Sequence, residues 1–311
     1  MTIILYAVIH AAVAVFIVAC VVRAILYSIQ PMHLRWELYP VPHEEPQRVR
    51  HGGSYFETVD WRTKPSRFNL LGELRFMIPE MLFMKGLWDW NRSLWARSFP
   101  FHFGLYLLAG SAGLVGLVAV LEPVTPELIE GPLGLGLHYV YAITGLAGLV
   151  LAILGAVALL IRRLTGLDLK TYTTAGDVFN LCAFILSFGC LLAGHLLQRP
   201  ESASTVAVLQ AILIFDTSVN ISGLLLTGLA LSALLAAYIP FTHMSHFIGK
   251  FFTYHTVRWN DQPNLPGGML EKKLAECLTY RPTWAARHVG ADGTKTWADV
   301  VAVNPAQGVK K

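Results

Sequence analysis

Five long apolar runs alternate with polar segments along the chain of 311 residues. Each run has about 20 or more residues, which is the length an α-helix needs to cross the hydrocarbon core of a bilayer. The pattern therefore predicts five transmembrane helices. They are Ile3–Tyr27, Pro100–Leu121, Leu133–Ile161, Val178–Leu197 and Ser218–Phe241.

Two polar regions lie outside these runs. Between the first and second runs, a Pro- and charge-rich stretch over 31–67 precedes an aromatic, amphipathic run over 68–99 that contains Trp88, Trp90 and Trp95. This run is typical of a helix lying in the membrane interface, where the tryptophans either form an aromatic belt or also contact a partner. The tail after residue 248 is too short for an independent domain with a large core.

The predicted fold is an all-α integral membrane protein, a five-helix transmembrane bundle with an interfacial amphipathic helix and a cytoplasmic tail. Residues 1–27 form the first transmembrane helix and 28–99 the cytoplasmic segment. Residues 100–248 form the core of helices two to five, and 249–311 the tail, which we expect to dock a partner. The composition agrees, with 54% hydrophobic residues, 14% charged residues and a mean hydropathy of +0.51.

Charge sets the expected orientation. Nearly all Lys and Arg residues fall in the segment 28–99, the third-to-fourth loop and the tail, whereas the opposite side carries Arg199 with several glutamates. By the positive-inside rule the N-terminus is outside and the C-terminus is cytoplasmic. The net charge of +4 then reflects topology and gives no reason to expect nucleic acid. The first run lacks a basic n-region and a cleavage site, so we expect it to stay in the mature protein.

The histidines carry the candidate chemistry. His102 begins the second run and His246 follows the fifth, so both are expected near the cytoplasmic edge. His10, His138 and His195 are expected near the outer edge, roughly 20 Å away at 1.5 Å per residue. A histidine in lipid is costly and by default functional, and neutral imidazole is a common ligand of haem iron. The pair His102 and His246 therefore predicts a buried haem b.

Small residues lie on the same helical face as His102, at Ala109, Gly113 and Gly116. Such a face gives room for a flat macrocycle, or it packs against another helix. Pro240 is expected to kink the fifth helix, and either His243 or His246 beyond it could reach iron. The four cysteines are scattered singly, so we expect no iron–sulfur cluster within this chain.

Several phrases resemble the haem-b membrane subunits typified by the gamma subunit of respiratory nitrate reductase. They are Ile239-Pro-Phe-Thr-His-Met-Ser-His246 after the fifth run, Arg162-Arg163, and Tyr172-Thr-Thr-Ala-Gly-Asp177. The resemblance implies that His102 and His246 hold the haem nearer the cytoplasm, which makes His243 the weaker candidate. Arg92, Arg97 and Lys250 would then lie near its edge, either paired with its propionates or solvated. Asp177 is interpreted as a helix cap.

The chain also departs from that family. A typical member holds a second haem with histidines at positions that are Ala112 and Gly228 here. Either His138 and His195 replace the missing pair, with His10 in reserve, or the second haem is absent. In the second case His138 binds quinone and His195 is an ordinary interfacial histidine.

The run Phe251-Phe-Thr-Tyr-His-Thr-Val-Arg-Trp259 resembles relatives that work with heterodisulfide-reductase-like iron–sulfur proteins. The family implies electron transfer between a membrane quinone, menaquinone or ubiquinone, and a cytoplasmic iron–sulfur subunit. That subunit would be heterodisulfide reductase-like or nitrate reductase beta-like. The chain would be the electron-transfer subunit of an oxidoreductase complex in the inner membrane of a prokaryote.

Two other classes compete with this interpretation. A five-span anchor for a cytoplasmic enzyme would explain a docking surface, but it would not explain the paired histidines. A solute transporter is weaker, since the runs contain almost no charged residue besides Arg23 and no pair of broken helices.

Overall fold

The computed structural model describes residues 2–29, 70–170, 172–249, 264–283 and 291–302. They fall into two compact units. The first comprises Met1–Cys20 and Met77–Met244, and the second comprises Val21–Phe76 and Ser245–Lys311. The predicted Pro- and charge-rich stretch over 31–67 and the run 251–259 lie outside the described residues.

Five helices are long and apolar enough to cross a membrane, as predicted. A helix satisfies all its own backbone hydrogen bonds, which lipid cannot do, so long apolar segments adopt this form. Numbered as spans 1 to 5, the helices are Thr2–Ile29, Arg92–Leu121, Pro132–Thr165, Ala175–Leu196 and Gly223–Tyr238, the last extended by a 3-10 turn at Ile239–Phe241.

Span 2 starts two turns earlier than predicted. Its N-cap is Asn91, whose side chain accepts a hydrogen bond from the backbone N–H of Leu94 over 3.0 Å. Pro100 was predicted to begin the helix but lies inside it. A capping side chain ahead of a proline was the stronger signal for the start of this helix.

The aromatic run before span 2 is two helices, Leu70–Phe83 and Lys85–Trp90, where we predicted one. Met84 separates them with a left-handed backbone, φ 52°. A carboxylate oxygen of Glu80 accepts the N–H of Gly86 over 2.8 Å across this break. The remainder of the predicted run, from Arg92, belongs to span 2.

An aromatic cluster joins these two helices to span 2. The indole N–H of Trp95 donates to the carbonyl oxygen of Phe83 over 2.7 Å. The Trp95 ring stacks on Phe99 at 4.6 Å and meets Trp88 edge-on at 4.6 Å. Further along, the hydroxyl of Tyr106 donates to a carbonyl oxygen in the first helix over 2.9 Å. The chain before span 2 therefore folds back against that span.

Spans 2 and 3 pack antiparallel through small residues. A methyl group added at Gly104 would lie 2.5 Å from the backbone nitrogen of Ala152, and one added at Gly155 would lie 2.3 Å from that of Phe101. Close approach of backbones at glycine is the usual way membrane helices associate. Spans 4 and 5 use the same device, since Gly228 of span 5 lies against Leu191 of span 4.

A buried apolar cluster joins spans 3 and 4 in the middle of the bundle. It contains Ala152 and Ala156 of span 3 and Phe184 of span 4, together with Phe101 of span 2 and Leu235 of span 5. Four antiparallel helices thus pack in chain order, 2 with 3, 3 with 4 and 4 with 5.

The four spans give the first unit two ends, named here by their charges. The acidic end carries the end of span 2, the start of span 3 and the loop after span 4, with Glu122, Glu127 and Glu201. The basic end carries the start of span 2 and the end of span 3, with Arg92 and Arg163. The asymmetry matches the sequence pattern from which orientation was predicted.

A short apolar helix, Thr205–Ile214, was not predicted and is called the connector helix below. It begins after Ser204, whose hydroxyl accepts the N–H of Ala207. One side packs on the end of span 2 through Val206, and the other packs on span 1 and span 5 through Ile212. The connector helix therefore fills the acidic end of the bundle between span 2 and span 5.

The second unit contains two short helices of the tail, Met269–Leu278 and Trp297–Ala302. The backbone N–H of Trp297 donates to the carbonyl oxygen of Tyr280, and that of Gly293 donates to Pro282, both over 2.9 Å. Cys277 is buried between these segments and the burial raises the pKa of its thiol. The described part of the tail is thus locally folded.

Candidate functional site: the histidines of the first unit

His102 lies in span 2 with its ring held by the helix itself. Its Nδ1 atom is 2.9 Å from the carbonyl oxygen of Ser98 and 3.3 Å from the Ser98 hydroxyl. A carbonyl can only accept, so the proton of a neutral ring sits on Nδ1 and the lone pair on Nε2. Histidines that bind metals are commonly oriented in this way.

The face of span 2 that carries His102 is open. Methyl groups added at Gly113 or Gly116 would meet no atom of the described chain within 4 Å. Gly104 lies on the opposite side of span 2, where it packs against Ala152 of span 3. The small residues on the His102 face therefore do not pack against another helix of this unit. An oriented imidazole beside an open face fits a haem.

His102 lies level with the last turn of span 5. The preceding ring, Phe101, meets Phe184 edge-on at 5.0 Å, and Leu235 belongs to the same buried cluster. Span 5 continues for only one more turn before its helix ends at Tyr238. Pro240, expected to kink the helix, instead lies buried in the 3-10 turn that follows it.

His243 points to the start of span 4. Its Nε2 atom is 3.8 Å from Oδ1 of Asp177. The other carboxylate oxygen, Oδ2, lies 3.4 Å from the guanidinium of Arg163 on span 3. Asp177 also accepts from the backbone N–H of Thr174 in a reciprocal capping box, so the expected capping role is confirmed. No sequence motif indicated that the Asp177 carboxylate would connect spans 3 and 4 with the turn that follows span 5.

His246 belongs to the second unit. It follows the second 3-10 turn, His243–Ser245, and its residue surface is exposed. His102 belongs to the first unit, so the pairing of His102 with His246 stays a prediction.

The basic residues near this end are engaged locally. Arg97 donates to both the carbonyl oxygen and the hydroxyl of Ser93, each over 2.6 Å. The guanidinium of Arg92 lies 4.8 Å from the centre of the Trp88 ring. Lys250 lies outside the described residues. A role for these groups at haem propionates therefore stays a prediction.

The candidates at the acidic end lie on facing helices. The Nδ1 atom of His138 shares a hydrogen bond of 2.8 Å with the hydroxyl of Tyr141, whose residue is 7% exposed. By helical periodicity His138 continues the stripe of Leu149 on span 3, and His195 continues the stripe of Phe188 on span 4. These two stripes meet in the buried cluster, so both histidines lie at its outer margin, and both are exposed.

His10 is placed elsewhere. Its Nδ1 donates to the carbonyl oxygen of Tyr6 over 2.9 Å and its ring stacks on Phe215 at 4.5 Å. It therefore lies against the end of the connector helix, whereas His138 and His195 lie on spans 3 and 4.

Of the two positions that correspond to the family's second haem, Gly228 is buried and Ala112 is exposed. Gly228 lies against the backbone of Leu191, and a methyl group there would approach the Leu191 nitrogen to 2.7 Å, so no larger side chain fits. The connector helix also fills the space between spans 2 and 5 at this end. Gly228 therefore has no space for a ligating side chain in this packing.

Two polar groups were missed by the sequence analysis. Gln210 of the connector helix donates to Glu122 over 2.9 Å and to the carbonyl oxygen of Ala119 over 3.1 Å. Asn180 of span 4 is 5% exposed, and its carbonyl oxygen has no hydrogen-bond partner in the described chain. Both belong to helices whose packing the sequence does not reveal, so no local signal could have found them.

No group of three or more His, Cys, Asp or Glu residues that could hold a metal ion occurs among the described residues. Axial ligation of a haem iron needs only two side chains.

Comparison with protein-family models, with curated proteins and with solved structures gives no match. The resemblance to haem-b membrane subunits thus rests on the motifs of this chain and on the geometry around its histidines.

Proposed function

We propose that the chain is the haem-b membrane subunit of a respiratory redox complex. It would relay electrons between a membrane quinone and a cytoplasmic iron–sulfur partner subunit. The observation that carries this proposal is the His102 ring, oriented by Ser98 and lying beside the open glycine face of span 2. A transmembrane anchor needs neither feature.

His102 is the first proposed ligand of the haem iron, and His246 is its proposed partner. Haem b supplies one-electron transfer when bound, while the chain sets its position and the polarity around it. Arg97 and Lys250 are proposed near its edge. Ser98 would orient the ligand and raise its basicity.

The acidic end is the proposed quinone site. His138 and Tyr141 together offer a ring nitrogen and a buried hydroxyl at hydrogen-bond distance, which suits the oxygen atoms of menaquinone or ubiquinone. The alternative, in which His138 and His195 hold a second haem b, places the iron between spans 3 and 4. This location differs from that of the second haem in the family, whose histidine positions are Ala112 and Gly228 here.

We place the protein in the cytoplasmic membrane of a prokaryote, with the basic end cytoplasmic. The positive-inside rule supports this orientation. The partner, heterodisulfide reductase-like or nitrate reductase beta-like, would then dock at the basic end.

The decisive experiment quantifies haem b per copy of the chain in the purified complex. Pyridine-haemochrome and reduced-minus-oxidised spectra give the stoichiometry after subtraction of any cytochrome in the partners. A value near one would support His102 with His246 alone, and a value near two would add His138 and His195. Absence of haem would overturn the proposal in favour of a membrane anchor.

A further inference from the structure

The acidic end contains a carboxylate that none of the proposed roles has used. Glu122 follows the last residue of span 2 and is partly buried. We propose that Glu122 is the group that exchanges protons with the quinone at this end, and that Gln210 positions it. The inference rests on the proposed function, because it assigns a residue to the same quinone site.

Gln210 holds the carboxylate in place. Its side-chain nitrogen donates one hydrogen to Glu122 over 2.9 Å and the other to the carbonyl oxygen of Ala119 over 3.1 Å. Both N–H groups are used, so the amide is fixed to the end of span 2. The amide of Gln210 carries no charge, so a proton that binds to Glu122 breaks no ion pair with Gln210.

The carboxylate lies at the same end of the bundle as the predicted quinone-binding residues. Tyr141 of span 3 packs in the same buried cluster as Ala119, whose carbonyl oxygen Gln210 contacts, and Val206 of the connector helix. The Tyr141 hydroxyl shares its hydrogen bond with His138. The hydroxyl of Ser111 donates to the Tyr141 carbonyl over 2.8 Å and fixes that turn of span 3. Span 2, span 3 and the connector helix thus meet around one set of polar groups.

The chemistry requires a proton acceptor here. A quinol becomes a quinone by losing two electrons and two protons, as its two O–H bonds break. The electrons pass one at a time to a ferric haem b, the oxidant of the proposed function. Each proton needs a base, and a carboxylate that first accepts one and then releases it can serve for both. Quinone reduction uses the same group in the opposite direction.

The released proton has a short path to water. Glu122 is followed by the exposed turn Pro123–Thr125, in which Val124 is 74% exposed. By contrast, the Tyr141 side is buried. Glu122 therefore lies between the buried polar groups and the aqueous phase.

The test uses the intact complex with its partner subunits. Menadiol-driven haem reduction is followed by stopped-flow absorbance at several pH values, and binding of 2-heptyl-4-hydroxyquinoline N-oxide is followed by its fluorescence quenching. In Glu122→Gln we expect probe affinity close to wild type and haem reduction about 100-fold slower. The pH dependence should also be lost. Glu122→Asp should restore part of the rate.

Two further variants separate roles. Gln210→Ala should slow reduction while keeping the pH profile, since the carboxylate remains but is less well placed. Glu127→Gln, in the short helix Pro126–Glu130 at the same end and exposed, should behave as wild type.

A wild-type rate in Glu122→Gln across the pH range would overturn the inference, and so would loss of probe binding in that variant, which would make Glu122 a binding residue. If the wild-type complex itself contains no haem, or haem that menadiol does not reduce, the proposed function fails instead.

Discussion

The carbonyl oxygen of Ser98 accepts a hydrogen bond from Nδ1 of His102, one turn further along span 2, over 2.9 Å. The bond leaves Nε2 as the only ring atom able to bind a metal. It also fixes the ring against rotation inside a membrane-spanning helix. The arrangement depends on backbone geometry, so substitution of the Ser98 side chain would leave it in place.

His102→Ala is expected to abolish haem binding at the proposed site. Removing an axial ligand leaves the iron without one of its two protein bonds. Haem per chain, measured by pyridine haemochrome, should fall by one. His10→Ala is the matched control, because His10 makes the same turn-to-turn hydrogen bond but stacks on Phe215. Full haem content in His102→Ala would contradict the ligand assignment.

Gly113→Leu is expected to lower haem content without unfolding the bundle. Gly113 lies on the His102 face, and an added methyl group meets nothing in the described chain, so the leucine would project into the space proposed for the haem. Haem content and thermal unfolding in detergent should be measured together. Gly189→Leu on span 4, also open, serves as control, and equal haem loss in both variants would argue against the assignment.

Gly104→Ala is expected to destabilise the protein by about 1–3 kcal/mol, because the new methyl group would lie 2.5 Å from the backbone of Ala152. Gly110→Ala on the same span should be tolerated, since its added methyl group meets no atom of the described chain. Denaturant titration of both purified variants checks the difference. Similar stabilities would mean that spans 2 and 3 separate easily.

Asp177→Asn is expected to cost about 1 kcal/mol or more in stability. The substitution weakens the cap on span 4 and removes the charge that faces Arg163 and His243. Glu201→Gln is the comparison, because its ion pair with Arg199 is largely solvent-exposed and should contribute little. Thermal unfolding of the two variants gives the contrast, and an equal effect would show that Asp177 does not hold the spans together.

Orientation can be tested by cysteine labelling in a variant that lacks the native cysteines. The positive-inside rule predicts that Glu127→Cys reacts with a membrane-impermeant maleimide in intact cells, since the acidic end is outside. Leu167→Cys, at the basic end and 90% exposed, should react only after lysis. The reverse pattern would place the basic end outside.

Hydrophobic length was enough to predict the five spans from sequence, because lipid imposes that length directly. It was not enough for the connector helix, whose ten residues are too few to cross a membrane and too apolar for a loop. The start of span 2 was misplaced because Pro100 suggested a boundary and the Asn91 cap was overlooked.

The candidate site was predictable only in part. His102 and His138 stood out because histidine is rare among apolar residues, whereas Gln210 and Glu122 come together only through packing of the connector helix. Gly104 and Gly113 are indistinguishable in sequence, yet one is at a contact and the other is open. Neighbours, which a single sequence does not show, decide that difference.

The connector helix also bears on how the chain enters the membrane. It precedes span 5 along the chain and packs against that span. It also packs against two spans that are synthesised much earlier, through Val118 of span 2 and Tyr6 of span 1. The apolar face of the connector helix can therefore be buried only after spans 1 and 2 have packed together. During synthesis, span 5 would enter the membrane directly after the connector helix, which packs on spans 1 and 2. Insertion of span 5 would then be coupled to the packing of the bundle.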